Sequence, residues 1–97
     1  MTVAEFFEAN KTGYALRDPV ICKDGLRLSI QASMSHYCNP AENNAEHYTH
    51  VEVSSPNPIR SLRQYGKSGV YAYVPIEKVE SLVKHHGGIV KVGGKEV

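Results

Sequence analysis

The dipeptide Asp24-Gly25 constrains this chain more than any other feature. It separates Pro19-Val20-Ile21-Cys22 from Leu26-Arg27-Leu28-Ser29-Ile30-Gln31-Ala32. The second run alternates strictly, with Leu26, Leu28, Ile30 and Ala32 on one face and Arg27, Ser29 and Gln31 on the other, which is the pattern of a half-buried strand. A two-residue type I′ turn requires positive φ at both central positions, and Asp-Gly meets that requirement at low cost. The expected product is a β-hairpin with Lys23 opposite Leu26, Cys22 opposite Arg27 and Ile21 opposite Leu28.

The flanking segments set the fold class. Thr2 and Glu5 have capping-box spacing, and Val3, Phe6 and Phe7 follow on one stripe, so the chain opens with a short helix. Lys11-Thr12-Gly13 is its expected end, with Gly13 as a left-handed cap. Tyr48, His50 and Glu52 alternate with Thr49, Val51 and Val53 as a third strand, stopped by Ser54-Ser55-Pro56-Asn57-Pro58. A segment of one to two turns runs from Ile59 to Tyr65. Val70-Tyr71-Ala72-Tyr73-Val74, rich in β-branched and aromatic residues, is a fourth strand. Pro75 is expected at the first position of a last helix, with Ile76, Val79, Leu82 and Val83 as its stripe. Lys84, His85 and His86 sit where the helix dipole favours cations, and Gly87-Gly88 caps it. Ile89-Val90-Lys91-Val92 is a candidate edge strand. The expectation is a single α+β domain over residues 1–97. It has a mostly antiparallel four- to five-stranded sheet, with the N-terminal and C-terminal helices packed on one face.

Composition enters mainly through what it excludes. The chain has 11 basic and 10 acidic residues, a balance that fits neither an acidic DNA mimic nor a strongly basic nucleic-acid binder. Its apolar runs are far shorter than the roughly 20 residues that cross a bilayer, so no membrane partner is expected. Met1 leads straight into the helix without a leader-like apolar stretch, so the expected location is cytoplasmic and reducing.

Five histidines and two cysteines in 97 residues are the chemical feature of note. A Cys22–Cys38 disulfide is disfavoured, because the hairpin holds Cys22 near its tip and carries the chain away from it. His36-Tyr37-Cys38 and His47-Tyr48-Thr49-His50 flank the long aperiodic stretch 33–46. Antiparallel pairing of 26–32 with 47–53 would bring both ends together. Thiolate plus imidazoles suits tetrahedral Zn²⁺, so His36, Cys38, His47 and His50 form a candidate structural zinc site, with Cys22 as an alternate ligand. His47 would have to precede the strand, because in a regular strand it would point away from His50. The alternative is that these histidines are solvated or hydrogen-bonded. A second set, Arg60, Arg63, Tyr65 and Lys67, stands near Tyr71 and Tyr73. Basic residues interleaved with aromatics grip phosphates and stack bases; the plainer reading is a solvated face with tyrosines at the core rim. Enzyme signatures such as G-x-S-x-G, H-E-x-x-H and CxxC are absent from the sequence, and no enzymatic activity is expected.

Several of these segments together carry a likeness. Cys22-Lys23-Asp24-Gly25, Leu28-Ser29-Ile30-Gln31-Ala32-Ser33, His36-Tyr37-Cys38-Asn39-Pro40, Val51-Glu52-Val53, Val70-Tyr71-Ala72-Tyr73-Val74-Pro75 and His86-Gly87-Gly88-Ile89 resemble, in that order, a group of small phage and prophage proteins. The stretch before Val70 is short and basic here, where that group has a longer acidic one, and His47 and His50 lie outside its pattern. The resemblance implies a compact protein that acts by binding inside the bacterial host. The implied role is counter-defence of the anti-CRISPR kind, with a host defence protein such as an RNA-guided nuclease as partner. The alternative is a nucleotide- or nucleic-acid-binding module that sequesters a signal through the basic and tyrosine residues.

Overall fold

The structure is a computed structural model that describes residues 1–12, 15–66 and 68–97. Helix α1 spans Val3–Ala9, and its capping box is complete. The Thr2 hydroxyl accepts the Glu5 N–H at 3.1 Å, and the Glu5 carboxylate accepts the Thr2 N–H at 2.8 Å. Asn10 closes the helix, its side-chain amide donating to the Phe6 carbonyl at 2.8 Å. The expected cap at Gly13 lies outside the described residues.

The sheet has six antiparallel strands, one more than the upper expectation: β1 (Val20–Cys22), β2 (Arg27–Gln31), β3 (His50–Ser54), β4 (Val70–Pro75), β5 (Ile89–Val92) and β6 (Lys95–Glu96), in the order β4-β3-β2-β1-β5-β6. A 3-10 helix, Arg60–Tyr65, precedes β4, and helix α2 spans Ile76–His85. Strand β5 is not an edge, because Lys95–Glu96 turns back and pairs with it. Pro75 ends β4 and caps α2 from outside instead of occupying its first turn.

The hairpin forms, but in a different register from the one expected. Ile21 faces Arg27 and Val20 faces Leu28, one residue from the I′ alignment. The Gly25 N–H donates to the Cys22 carbonyl at 2.9 Å, and the Cys22 N–H donates to the Leu26 carbonyl at 2.8 Å. This is a three-residue loop, a type I turn closed by a residue in the left-handed region. Gly25 takes that role at φ +96°. Asp24 can adopt the ordinary turn geometry, so only one positive φ is needed where the I′ form needs two.

Alternation in β2 places Leu28, Ile30 and Ala32 in the core as expected, together with Val51 and Val53 of β3. Gln31, expected on the solvent face, is buried. Its side-chain oxygen accepts the Arg17 N–H at 2.9 Å, and its amide donates to the Arg17 carbonyl at 2.8 Å. The glutamine therefore holds the backbone at residue 17 much as a neighbouring strand would, and the incoming chain covers it.

Helix α2 buries Val79, Leu82 and Val83. It ends in a Schellman motif: Gly88 N–H to Val83 carbonyl at 2.9 Å, and Gly87 N–H to Lys84 carbonyl at 3.1 Å. The two helices meet where the Glu80 carboxylate accepts the Val3 and Ala4 N–H groups at 2.8 and 3.2 Å. An acidic side chain satisfies orphan donors at a helix N-terminus, where the dipole favours it. Phe6 of α1, Val79 of α2 and the inner residues of β1 to β5 share one hydrophobic cluster.

Candidate functional site

Of the described clefts, the largest (about 740 Å³) lies between the segment after β3 and the loop before β4. Arg60 and Arg63, one 3-10 turn apart, both line it, and both are exposed. Gly66 and Gly69 also line it. A Cβ at Gly66 would sit 2.0 Å from the Val70 carbonyl oxygen, and one at Gly69 (φ +82°) 3.1 Å from that of Ser55. At both positions a side chain would press on neighbouring backbone, which is why the chain has glycine there. Pro56 and Pro58 stiffen the opposite wall, and Ser68 adds a hydroxyl. None of the described residues that line the cleft is acidic. Two guanidiniums with no carboxylate among the described lining residues form an arrangement suited to an anion.

The other members of the expected basic and aromatic set behave differently. Tyr65 is half-buried against the core. Tyr71 is buried, and its phenol oxygen accepts the Ile59 N–H at 2.8 Å, which braces the start of the 3-10 helix. Neither offers a free face for a base to stack on. Lys67 lies outside the described residues.

The four candidate zinc ligands are not gathered. Strands β2 and β3 do pair, and Asn39 bridges to His50, so the two ends of the long loop meet. The side chains are committed elsewhere. The His36 Nδ1 is 2.6 Å from the Ser33 Oγ, and the His50 Nδ1 is 2.8 Å from the Thr49 Oγ1. The His47 side chain is 88% exposed, 3.8 Å from the Glu46 carboxylate. The buried Cys38 thiol donates to the Ser33 carbonyl at 3.1 Å and the Pro40 carbonyl at 3.4 Å. Cys22, the alternate ligand, is also buried, and both thiols are free. Among the described residues no group of three or more His, Cys, Asp or Glu side chains is placed to hold a metal ion. These residues, as arranged, do not fit a four-ligand zinc site. Burial pushes both thiols up from their ordinary pKa, with Asp24 adding to the effect at Cys22. That is the opposite of the lowering that activates a cysteine nucleophile.

Sequence reasoning missed one surface feature. Tyr37, on the long loop, and Tyr73, on edge strand β4, are 58% and 52% exposed, with ring centroids 5.9 Å apart. The β3–β4 register shifts between Val51 and Val53, leaving Ala72 and Tyr73 opposite Glu52. Regular alternation would put Tyr71 and Tyr73 on the same face; the irregularity sends Tyr71 into the core and Tyr73 out. Tyr73 has φ +51°, a left-handed conformation that non-glycine residues rarely adopt. Its N–H donates to the Tyr37 carbonyl at 3.1 Å, and the Tyr37 N–H donates to the Glu52 carboxylate at 3.0 Å, so the pair is held from both strands.

Comparison with known proteins found no matching family model, no matching curated protein and no matching solved structure.

Proposed function

We propose that this protein is a non-enzymatic binding protein of the phage counter-defence kind, and that it captures a phosphate-bearing ligand, a nucleotide or a nucleic-acid strand, in the Arg60/Arg63 cleft. One observation carries this reading: both arginines line one cleft in which none of the described lining residues is acidic. Recognition is by phosphate, because the nearby Tyr65 and Tyr71 pack inward and leave no stacking platform. Binding of a short single-stranded oligonucleotide and of ATP, measured at low and moderate salt, tests it. Wild-type affinity is expected to fall steeply with salt. The Arg60→Ala/Arg63→Ala double variant should bind at least tenfold more weakly, with a log–log salt slope for the oligonucleotide reduced by about 1.4, corresponding to two lost phosphate contacts. Equal binding by the double variant, or no binding by wild type, overturns the proposal.

The Tyr37/Tyr73 pair favours a second reading, in which the protein inhibits a defence effector such as an RNA-guided nuclease by docking on it. Exposed tyrosines held rigidly are typical anchors at the centre of protein interfaces. Its test is block of cleavage across a panel of such nucleases, without turnover, by wild type and by a Tyr73 variant.

A further inference from the structure

Arg17 is 4% exposed, yet its charge has no acidic counterpart. All ten aspartates and glutamates lie among the described residues, and none forms an ion pair with it. Gln31 clamps its backbone, and its guanidinium lies over the Phe7 ring, 4.6 Å from the centroid. Among the described residues its side chain makes one hydrogen bond, from Nη1 to the Ala32 carbonyl at 2.7 Å. Nε has no partner. Nε is sealed from the surface, so the donor left for a ligand is Nη2, which can make a charge-assisted hydrogen bond to a carboxylate. A buried guanidinium left unpaired is costly, and such groups in a native fold call for a physical reason.

Arg17 lines a cavity of about 400 Å³ between α1 and residues 44–48. Its walls are apolar at Ala4, Phe7, Ile76 and the Tyr48 ring, which packs on Phe7 with centroids 5.3 Å apart. Three carboxylates stand around it. Glu80 holds the α1 N-terminus, Glu8 pairs with Lys11 at 3.7 Å, and Glu46 sits 3.8 Å from His47. The lining carries three carboxylates against the two cations Lys11 and Arg17, and Lys11 is paired with Glu8, so Arg17 is the cation left for a single carboxylate and the surrounding acids would repel a ligand carrying several negative charges.

We infer that this cavity is a second binding site, for a small organic monocarboxylate whose carboxylate meets the Arg17 Nη2 while its apolar body lies against Phe7 and Tyr48. The volume suits a compact ligand, and the site is separate in residues and in ligand charge from the Arg60/Arg63 cleft.

Amide NMR titration of the full chain with sodium benzoate, against neutral benzamide at matched ionic strength, tests it. Benzoate is expected to shift the Phe7, Asn44, Ala45 and Tyr48 amides with saturation, and benzamide to bind at least tenfold more weakly. Arg17→Met should reduce benzoate affinity tenfold or more. Arg17→Lys, which keeps the charge and loses the Nη2 donor, should also weaken it several-fold, and Arg60→Ala/Arg63→Ala should leave it unchanged. Equal response to benzoate and benzamide, benzoate shifts confined to other residues, or full benzoate binding by Arg17→Met overturns the inference. If the Arg17 variants do not fold, the comparison of the two probes on wild type decides alone.

Discussion

Tyr73 shows at residue scale how a local cost can mark a surface. A left-handed conformation costs an L-residue roughly 1–2 kcal/mol, and Tyr73 adopts it with half its side chain in solvent. Glycine meets no such cost, so Tyr73→Gly relieves the strain while losing an aromatic contact worth about 0.5–1.5 kcal/mol. The two effects nearly offset. The variant is expected to keep its stability to within about 1 kcal/mol in a urea titration, and to lose inhibition if the tyrosine pair is the docking anchor. A loss of more than about 3 kcal/mol would show instead that Tyr73 serves the fold. Nothing in the sequence distinguishes Tyr73 from Tyr71, because the irregularity that separates them arises where β4 meets β3 and the long loop. Arg17 was equally illegible: Arg-Asp-Pro belongs to no motif, and its burial depends on Gln31, fourteen residues further along.

At the scale of elements, the helix ends were the most legible features. Thr2/Glu5 and Gly87-Gly88 act within a few residues of themselves, so their chemistry survives any tertiary context. The β1–β2 turn was legible as a hairpin and misread in register, because Asp-Gly serves both a two-residue and a three-residue loop. Docking of that turn decides matters further. The Asp24 carboxylate takes a hydrogen bond from the His86 ring nitrogen at 2.6 Å, and the Lys23 N–H donates to the Gly88 carbonyl at 3.0 Å, tying the hairpin tip to the end of α2. The His86 hydrogen bond, and then the Leu26 N–H, hold Asp24 below the ordinary aspartate pKa. A lowered carboxylate pKa contributes stability that is complete above the unfolded value, about 3.9, and is lost as pH falls through the folded value. The melting temperature is therefore expected to drop between pH 5 and pH 3, and Asp24→Asn should show a smaller drop over that window. An identical pH profile in the variant would remove Asp24 from the account.

Across the whole molecule, one hydrophobic cluster joins both helices to the sheet. Phe6 is fully buried at its helix–sheet junction, in edge-on contact with Phe7 at 5.5 Å between centroids. Phe6→Ala removes a ring and leaves a cavity, which costs about 3–5 kcal/mol in well-packed cores. Against a total stability of roughly 5–15 kcal/mol for a domain of this size, the expected result is a large downward shift of the urea midpoint, and an unchanged midpoint would contradict this packing. The sequence by itself determined the α+β class, the order of the main elements, the N-terminal cap of α1, the C-terminal cap of α2 and the inward faces of β2, β3 and α2. Each rests on chemistry that repeats every two or three to four residues. It also placed Arg60 and Arg63 together, because one 3-10 turn separates them. Tertiary structure alone decided the sixth strand, the hairpin register, the burial of Gln31 and Arg17, the outward turn of Tyr73, and the hydrogen-bond partners taken by His36, Cys38 and His50. The burials and the turn of Tyr73 depend on contacts between segments far apart in the chain, and a ring nitrogen, thiol or guanidinium takes whichever partner packing brings near.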